Sequence, residues 1–553
     1  MRRILRRSIL LGAALAATAL SAQDASDSTI RTPEIPDESC LEPPPAAAQP
    51  VAEAPPVLLD GLGYAGLEPD SDHEQARAWF AQGVRLIWAF DEAEAIRAFQ
   101  QAQRLDPDCA MCFFGEAWAR SPTLNLRPRT EELPAARAAA RRALALSEGV
   151  SDRHRLLIQA MVLRTGTGDE FRDAAYANFM ENLALRQPDS DTIAVMAADA
   201  RMIAADDLRP GSLPQRLLER VMARNPGHGG AIHFYIHLTD WIDRQHLAAP
   251  HADRLARIAP AASHLIHMPS HSYYGVGRYA DAAAANVAAI AADKAFISRV
   301  RPPRTDYRYY LQRHNMHFAI NSALARGDGA TARSVAEQYR AEYLAGTVEQ
   351  SSRLLGSSVW YLRGLHDTVD AVLDLPEPDH ALDKAMRHYA RGEALARRGD
   401  ADAVRAEAAA IAVLRDGAES PSLGRGGDML AEVAQHVLEG RAAMLGGRHE
   451  TAERAYRAAM EAQLRARFGN DPPLFWYSVR RSLAAALLAQ GDHRGARNQL
   501  HASLRSWPND PLALYALALA DRAGGDEEAA ARNLARARAV WAGDVTEVPL
   551  TRI

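Results

Sequence analysis

Apolar side chains recur every three or four residues from about residue 71 to the C-terminus, which is the spacing of one face of an α-helix. Short turns with glycine separate these stretches, and two of the turns, at Gly491 and Gly525, lie 34 residues apart. Alanine, the strongest helix former, is abundant, whereas aromatic residues make up only 7% of the chain. The pattern therefore predicts an all-α fold made of repeated helix pairs.

The stretch from residue 94 to residue 107 shows the repeat most clearly. Small Ala95 and Ala102 allow a neighbouring helix to approach, Phe99 packs between helices, and Pro107 ends the helix. This stretch resembles the second helix of a tetratricopeptide repeat (TPR), whose usual period is about 34 residues. Similar units begin at Gly277, Gly327, Gly447, Gly491 and Gly525, and apart from the long gap between Gly327 and Gly447 they follow each other at intervals of 34 to about 50 residues. The resemblance implies an irregular TPR-like α-solenoid, a superhelix of helix-turn-helix repeats.

Three consecutive predicted helices, at 230–241, 262–274 and 307–325, carry histidines on a single face. Steps of three, four and seven residues keep side chains on one face, because an α-helix turns about 100° per residue. Asp240 continues the face of the first helix. Imidazole is a common metal ligand and has an ordinary pKa near neutrality, so the pattern predicts a functional site. The histidines are His233, His237, His264, His267, His271, His314 and His317.

In TPR proteins the first helices of successive repeats line a concave groove, and positions 2, 5, 9 and 12 point into it. With Gly277 and Gly327 as position 15 of their repeats, the histidines of the second and third helices fall on positions 2, 5 and 9. With Pro260 as position 32, His233, His237 and Asp240 fall on positions 5, 9 and 12. The resemblance to TPR proteins therefore implies that all seven histidines and Asp240 face one groove.

The histidine segments also resemble the signature of a bacterial family of exported TPR proteins. The motifs are Asn225-Pro226-x-His228, Ala231-x-His233-x-Tyr235-Ile236-His237, His264-x-x-His267-Met268-Pro269-Ser270-His271 and His314-Asn315-x-His317-Phe318. Gly229 and Phe234 replace a proline and a leucine of that pattern without touching the histidines. The resemblance implies the fold and directs attention to the histidines, but it supplies no reaction.

A divalent transition metal is the first hypothesis for the histidines. Neutral imidazoles with one carboxylate suit Zn, Fe, Cu, Mn or Ni, and seven imidazoles exceed what one ion needs. Either some of them support the ligands, or two ions bind together; Asp240 is a ligand or orients a histidine. Tyr310, Asn315 and Asn321 lie on the third helix as candidates for contact with a bound ligand. A water on the ion would allow hydrolysis or oxidation, so an enzyme here would be a metal-dependent hydrolase or oxidoreductase.

The second hypothesis is a cell-envelope TPR scaffold that mediates protein–protein interactions without catalysis. In this hypothesis the concave groove binds a peptide, and the histidines contact that peptide. The first hypothesis instead expects a small-molecule or peptide ligand in the groove beside the metal. Motifs for phosphate, dinucleotide and acyl-transfer sites are missing from the sequence. A formal net charge of -5 gives no basic surface for nucleic acid. The sequence leaves the metal, the reaction and the oligomeric state open.

Composition divides the chain into four predicted segments. Residues 1–22 fit an export signal, because four arginines precede an apolar run that is too short to cross a membrane and ends in small residues. Residues 23–70 are rich in Pro and Ala and are predicted to form a disordered linker. A TPR-like array with the histidines is predicted at 71–380, and a second array at 381–553. The mature protein is expected in the periplasm or secreted, without a transmembrane segment.

Cys109 and Cys112 form a CxxC motif at the start of a predicted helix. The residue after Cys112 is not histidine, which argues against covalently attached haem, and no second CxxC completes a zinc ribbon. An exported protein permits a disulfide, and a helix N-terminus lowers the pKa of a thiol. A structural disulfide, two packed thiols and a redox pair therefore remain open.

Overall fold

The structure is a computed structural model that describes residues 55–126, 129–204, 208–303, 306–346, 348–417, 420–466 and 472–553. These residues form α-helices, short 3-10 helices and turns, and they contain no β-strand. The all-α helical-repeat prediction is therefore confirmed. None of the helices in these ranges combines the length and the apolar character that crossing a membrane requires. The predicted export signal at 1–22 and the linker as far as residue 54 lie outside the described residues.

The α-helices are numbered here in chain order. They are α1 (Glu74–Trp88), α2 (Glu92–Leu105), α3 (Ala110–Ala119), α4 (Leu133–Ala145), α5 (Asp152–Thr165), α6 (Asp173–Arg186), α7 (Asp191–Ala204), α8 (Leu213–Arg224), α9 (Gly229–Trp241), α10 (Gln245–Ile258), α11 (Ser263–His267), α12 (Pro269–Gly275), α13 (Tyr279–Val300), α14 (Tyr307–Ala325), α15 (Gly329–Tyr343), α16 (Gln350–His366), α17 (Val369–Leu373), α18 (Ala381–Arg398), α19 (Ala401–Asp416), α20 (Gly424–Leu445), α21 (His449–Ala466), α22 (Arg480–Ala489), α23 (His493–Ser506), α24 (Pro511–Ala523) and α25 (Glu527–Val540). Each helix packs against the next, and α14, α16, α18 and α20 also touch in succession. Such a helix-turn-helix stack is the arrangement of a solenoid.

The turns inside the helix pairs are built from residues in the left-handed backbone conformation. In each turn the next N–H returns to a helix carbonyl five residues earlier, as in a Schellman motif. Phe90 has φ 53° and takes this position between α1 and α2. A non-glycine residue costs roughly 1–2 kcal/mol in this conformation, so the surroundings must hold Phe90 in place. Glycine takes the same position at Gly277, Gly327, Gly399, Gly447, Gly491 and Gly525.

Two large groups of buried apolar side chains fill the interior. The first extends from Leu62 to Ala282 and includes Phe318, whereas the second extends from Ala283 to Ile553. The change from one group to the other therefore occurs inside α13. The predicted division at residue 380 falls within the second group and stays a prediction.

The segment from residue 57 to residue 67 is packed, although the sequence predicts a disordered linker through residue 70. Leu62 and Leu67 are buried at 4% and 7% exposure. The carbonyl of Ala65 accepts a hydrogen bond from Trp88 Nε1 (2.9 Å), and that of Gly61 accepts one from the Ala261 amide (3.0 Å). These contacts hold an extended segment that has no helical period. The prediction of a disordered linker is therefore wrong for this segment, because its composition resembles that of the Pro/Ala-rich residues before it.

The C-terminal helices fold back onto the middle of the chain. The Tyr279 hydroxyl donates to the Pro508 carbonyl (2.8 Å), and Asn509 Nδ2 donates to the Val276 carbonyl (3.3 Å). The Ala542 amide donates to the Arg326 carbonyl (2.7 Å). The solenoid is therefore closed on itself at the turn between α12 and α13.

Replacing Gly277 with alanine is expected to reduce the free energy of unfolding by about 3 kcal/mol. Alanine would adopt a strained positive φ, and its Cβ would overlap the backbone of Pro508, which must then move. Gly491→Ala is the matched control, because Gly491 has the same kind of φ and nothing near its would-be Cβ. Urea unfolding should show a loss of only about 1–2 kcal/mol for the control. Equal losses for the two variants would contradict the closed arrangement.

Candidate metal centre

The histidines come from α9, from the pair α11 and α12, and from α14. The break between α11 and α12 falls at Pro269, which has no N–H to donate, while Met268 keeps a helical backbone. His267 ends α11 and His271 lies in the first turn of α12, so the break separates two histidines that touch. The predicted helices at 230–241, 262–274 and 307–325 are thus found, the second of them in two pieces.

The first triad consists of His233, His237 and His264. His233 Nε2 lies 3.1 Å from His237 Nε2 and 3.0 Å from His264 Nε2. The three residues each offer a ligand nitrogen within 4.8 Å of the others. On its other side, His233 Nδ1 donates to the Trp88 carbonyl (2.7 Å), which can only accept. In the neutral ring this leaves a lone pair on His233 Nε2, directed at the other two imidazoles.

The second triad consists of His267, His271 and His314. His267 Nε2 lies 3.0 Å from His271 Nε2, and the rings of His267 and His314 are 4.9 Å apart. His267 Nδ1 contacts Asn286 Oδ1 (2.6 Å). Because Asn286 Nδ2 donates to the Ala282 carbonyl, its oxygen faces His267 and accepts the proton on Nδ1. His267 Nε2 therefore also carries a lone pair, held in place from behind as in many metal-binding histidines.

Each triad is covered by one phenylalanine. The Phe90 ring lies 4.4, 5.6 and 5.4 Å from the rings of the first triad. The Phe318 ring lies 5.2, 4.9 and 5.3 Å from the rings of the second. The strained backbone of Phe90 is thus used to place an aromatic ring on three imidazoles. Both rings exclude water from the histidines and lower the local dielectric constant.

The two triads are neighbours inside the protein. The rings of His264 and His267 are 5.8 Å apart, and those of His237 and His271 are 6.4 Å apart. Burial lowers the pKa of His233 to about 3. Burial, followed by repulsion between the imidazoles, also lowers the pKa of four others well below the usual value: His237, His264, His267 and His314. These rings are neutral at pH 7, the form that binds metal ions.

His317 and Asp240 do not join the ligand nitrogens of either triad. His317 Nδ1 and Nε2 each lie 3.1 Å from a backbone carbonyl, of Leu355 and Pro472 respectively. Asp240 Oδ2 lies 3.5 Å from His271 Nδ1, and its Oδ1 accepts from Gln245 Nε2 (3.0 Å). The prediction that His317 belongs to one shared site is therefore corrected. Asp240 lies behind a histidine and is placed to orient His271.

The three other predicted contact residues lie outside the triads. Tyr310 stacks on Tyr307, with ring centres 5.3 Å apart. Asn315 Nδ2 donates to Asp293 Oδ2 (3.2 Å), and Asn321 Nδ2 lies 3.1 Å from His317 Nε2. Packing directs all three side chains to these partners, and a contact with a bound ligand stays a prediction.

Five of the seven histidines are buried, and His271 and His314 are half-buried, so the set does not line an open groove and the groove prediction is corrected. His233 and His267 are 0% exposed, and His264 is 4% exposed. Phe90 covers the first triad from the turn between α1 and α2, and the carbonyls of Pro472 and Pro473 reach His317 and Asn321 from the C-terminal half. Both covering segments are more than 140 residues away in sequence from the histidines that they reach.

Cys109 and Cys112 form a disulfide at the start of α3, with their Cα atoms 5.4 Å apart. Both residues are completely buried. The sequence leaves a disulfide, two packed thiols and a redox pair open, and the structure contains the disulfide. Its burial blocks thiol exchange with a partner, because exchange requires access to the sulfur.

Comparisons with known proteins concern the fold alone. No family model and no curated protein matches this chain. A structure of Naa15/Naa10 bound to HypK-THB is 13% identical, covers 86% of this chain and 91% of that chain, and has a TM-score of 0.22. The human IFIT1 dimer with m7Gppp-AAAA is 11% identical over 78% of this chain and 90% of that one, with a TM-score of 0.29. The P58(IPK) TPR domain is 14% identical over 82% and 99%, with a TM-score of 0.22.

Proposed function

We propose that this helical-repeat protein binds two divalent transition-metal ions, one in each histidine triad. The observation that carries the proposal is the convergence of three imidazole nitrogens in each triad. Two imidazole nitrogens about 2.0–2.1 Å from one tetrahedral ion lie about 3.3–3.4 Å from each other. The Nε2 pairs of His233 with His237 and with His264 are 3.1 and 3.0 Å apart, within a few tenths of an ångström of that spacing.

Hydrogen bonding alone explains these contacts poorly. The lone pair on His233 Nε2 can accept one good hydrogen bond, yet two nitrogens lie near it. A cation between the three rings would use all three lone pairs at once. Metal binding is also favoured by the neutral state of the buried rings. The carbonyl that accepts from His233 and the amide oxygen that accepts from His267 hold the two metal-facing lone pairs in place.

Three imidazoles leave one position of a tetrahedral ion for water or a substrate. A bound water would become acidic enough to act as a nucleophile near neutral pH, and a redox-active ion would allow oxidation. An enzyme built on this centre would accordingly be a metal-dependent hydrolase or oxidoreductase. An all-imidazole ligand set suits Zn, Cu, Fe or Ni better than it suits Mn.

An interaction scaffold is the second candidate, and the helical-repeat architecture by itself favours it over a metal-dependent function. Solenoids of this kind offer extended surfaces to proteins and peptides. The buried histidines are unsuited to touch a peptide, so the scaffold would use another surface. Metal content separates the two candidates, because a scaffold needs no ion in the triads.

The experiment is elemental analysis of protein purified without a metal-affinity tag, followed by titration of the metal-free protein. We expect about two ions per chain, drawn from Zn, Cu, Fe, Ni or Mn. Because burial lowers the pKa of five triad imidazoles, binding should persist below about pH 6 and weaken only in more acidic solution, where these rings become protonated. Protein that is purified without metal and then takes up none of these five ions would refute the proposal and leave the scaffold.

A further inference from the structure

A small cavity lies between the turn that precedes α2, the start of α11 and the start of α14. Its volume is about 30 Å³, enough for about two water molecules or one ion, and far too small for an organic substrate. Its lining includes His264 of the first triad and Phe90, which covers that triad. Of the six triad histidines, His264 is the one that lines this cavity.

The cavity is lined by more acidic than basic groups. Asp91, Glu92 and Asp306 contribute carboxylates, and Arg308 contributes the guanidinium. Arg308 is already engaged, since it donates to Asp91 and, at 3.0 Å, to Asp293. Its charge is therefore neutralised within the wall, and the carboxylates of Glu92 and Asp306 remain to attract a cation.

Three buried polar atoms in the lining have no hydrogen-bond partner, and one of them is the donor Arg308 Nε. The other two are Glu92 Oε1 and His264 Nδ1, on side chains that are 3% and 4% exposed. Burial raises the pKa of Glu92, although Arg129 and a hydrogen bond with Thr123 favour its charged form. A buried carboxylate oxygen without a partner is unfavourable, because it loses its hydration. A cation next to Glu92 would compensate that loss. Glu92 Oε1 and His264 Nδ1 belong to groups that bind divalent metals.

Exposure falls from the rim of the cavity to its base. Ala93 at the rim is exposed and Asp306 is half-buried, whereas Phe90 and His264 at the base are 2% and 4% exposed. Asp306 thus lies nearer to solvent than the first triad does, whereas Glu92, which is 3% exposed, lies as deep as His264. This order suits a path along which an ion exchanges water for carboxylate oxygen before it reaches imidazole.

We infer that this cavity is the entry site through which a divalent metal ion reaches the first triad, with Asp306 and Glu92 as its transient ligands. The inference rests on the proposed metal binding. Carboxylates at the mouth of a buried site raise the local concentration of cations and the association rate, an effect that salt screens. They do not determine how many ions the triads hold at equilibrium.

The test uses Co²⁺, whose visible absorption reports binding to nitrogen ligands, and metal-free full-length protein in a stopped-flow instrument at low salt. The double variant Asp306→Asn, Glu92→Gln removes both charges, and Asn keeps the side-chain cap that Asp306 makes with the Arg308 amide. Its control is Asp169→Asn, Glu170→Gln, the same change at two exposed residues between α5 and α6.

We expect the part of the Co²⁺ uptake that fills the first triad to be about tenfold slower in the cavity variant than in the wild type, with the same final amount bound. The difference should shrink in about 0.5 M salt, and the control should match the wild type. A cavity variant with the wild-type rate and amount would overturn the entry site while the metal centre stands. A wild type that binds no Co²⁺, Zn²⁺ or other ion at equilibrium would overturn both.

Discussion

Replacing His264 with alanine is expected to reduce the bound metal from about two ions per chain to about one. The change removes one nitrogen of the first triad, whose members lie 3.0–3.1 Å from His233 Nε2. His267→Ala should likewise remove the ion of the second triad, and the double variant should bind none. Loss of one of three protein ligands weakens binding by orders of magnitude, so elemental analysis after dialysis will resolve the difference.

His317→Ala is the control for this series. His317 lies on the same helix face as His314 and is buried, but both of its nitrogens contact backbone carbonyls. We expect the variant to keep about two ions and to lose some stability, because a buried backbone carbonyl loses its hydrogen-bond donor. Circular dichroism should remain helical for every variant. Loss of both ions in His264→Ala alone would show one shared centre instead of two separate triads.

Replacing Arg308 with methionine is expected to reduce the free energy of unfolding by about 3–5 kcal/mol at pH 8. Arg308 is 8% exposed and donates to Asp91 and Asp293, and its guanidinium also lies over the Phe296 ring. Methionine fills a similar volume but leaves the buried carboxylates without a cation. Arg465→Met is the control: its pair with Glu432 is 57% exposed on the arginine side, so the loss should stay below about 1 kcal/mol.

The cost of Arg308→Met should shrink as the pH falls from 8 to 5. Burial raises the pKa of Asp306 to about 6 and also raises that of Asp293, while Arg308 lowers both. Without Arg308 both pKa values rise further above the unfolded values. A carboxyl with a raised folded-state pKa favours folding most when protonated, and it loses that advantage as the pH rises through the folded-state pKa. Urea unfolding of both proteins at pH 8 and pH 5 measures the difference, and a cost that is the same at both pH values would contradict this assignment.

The same buried ion pairs explain why the centre needs the N-terminal helices. Asp91 follows Phe90 in the turn between α1 and α2, and its bond to Arg308 fastens that turn to α14. The Trp88 carbonyl in the same turn orients His233. Arg308→Met is therefore expected to weaken metal binding at the first triad as well as to reduce the free energy of unfolding. The metal content of the purified variant will test this.

The sequence by itself determined the features that depend on neighbouring residues. Spacings of less than ten residues determine three features: the helical period, the glycine turns such as Gly277 and Gly491, and the histidine faces of α9, α11, α12 and α14. Backbone geometry imposes such spacings locally, so they are visible without any tertiary contact.

The tertiary structure alone decided how the histidines divide. His314 and His317 share a helix face, but the packing of α14 turns His314 to the second triad and His317 to the carbonyls of Leu355 and Pro472. The coverage by Phe90 and the support by Trp88 come from residues more than 140 positions before His233. No local period encodes such contacts, because they depend on how the solenoid closes, and that closure depends on the packing of all its helices together.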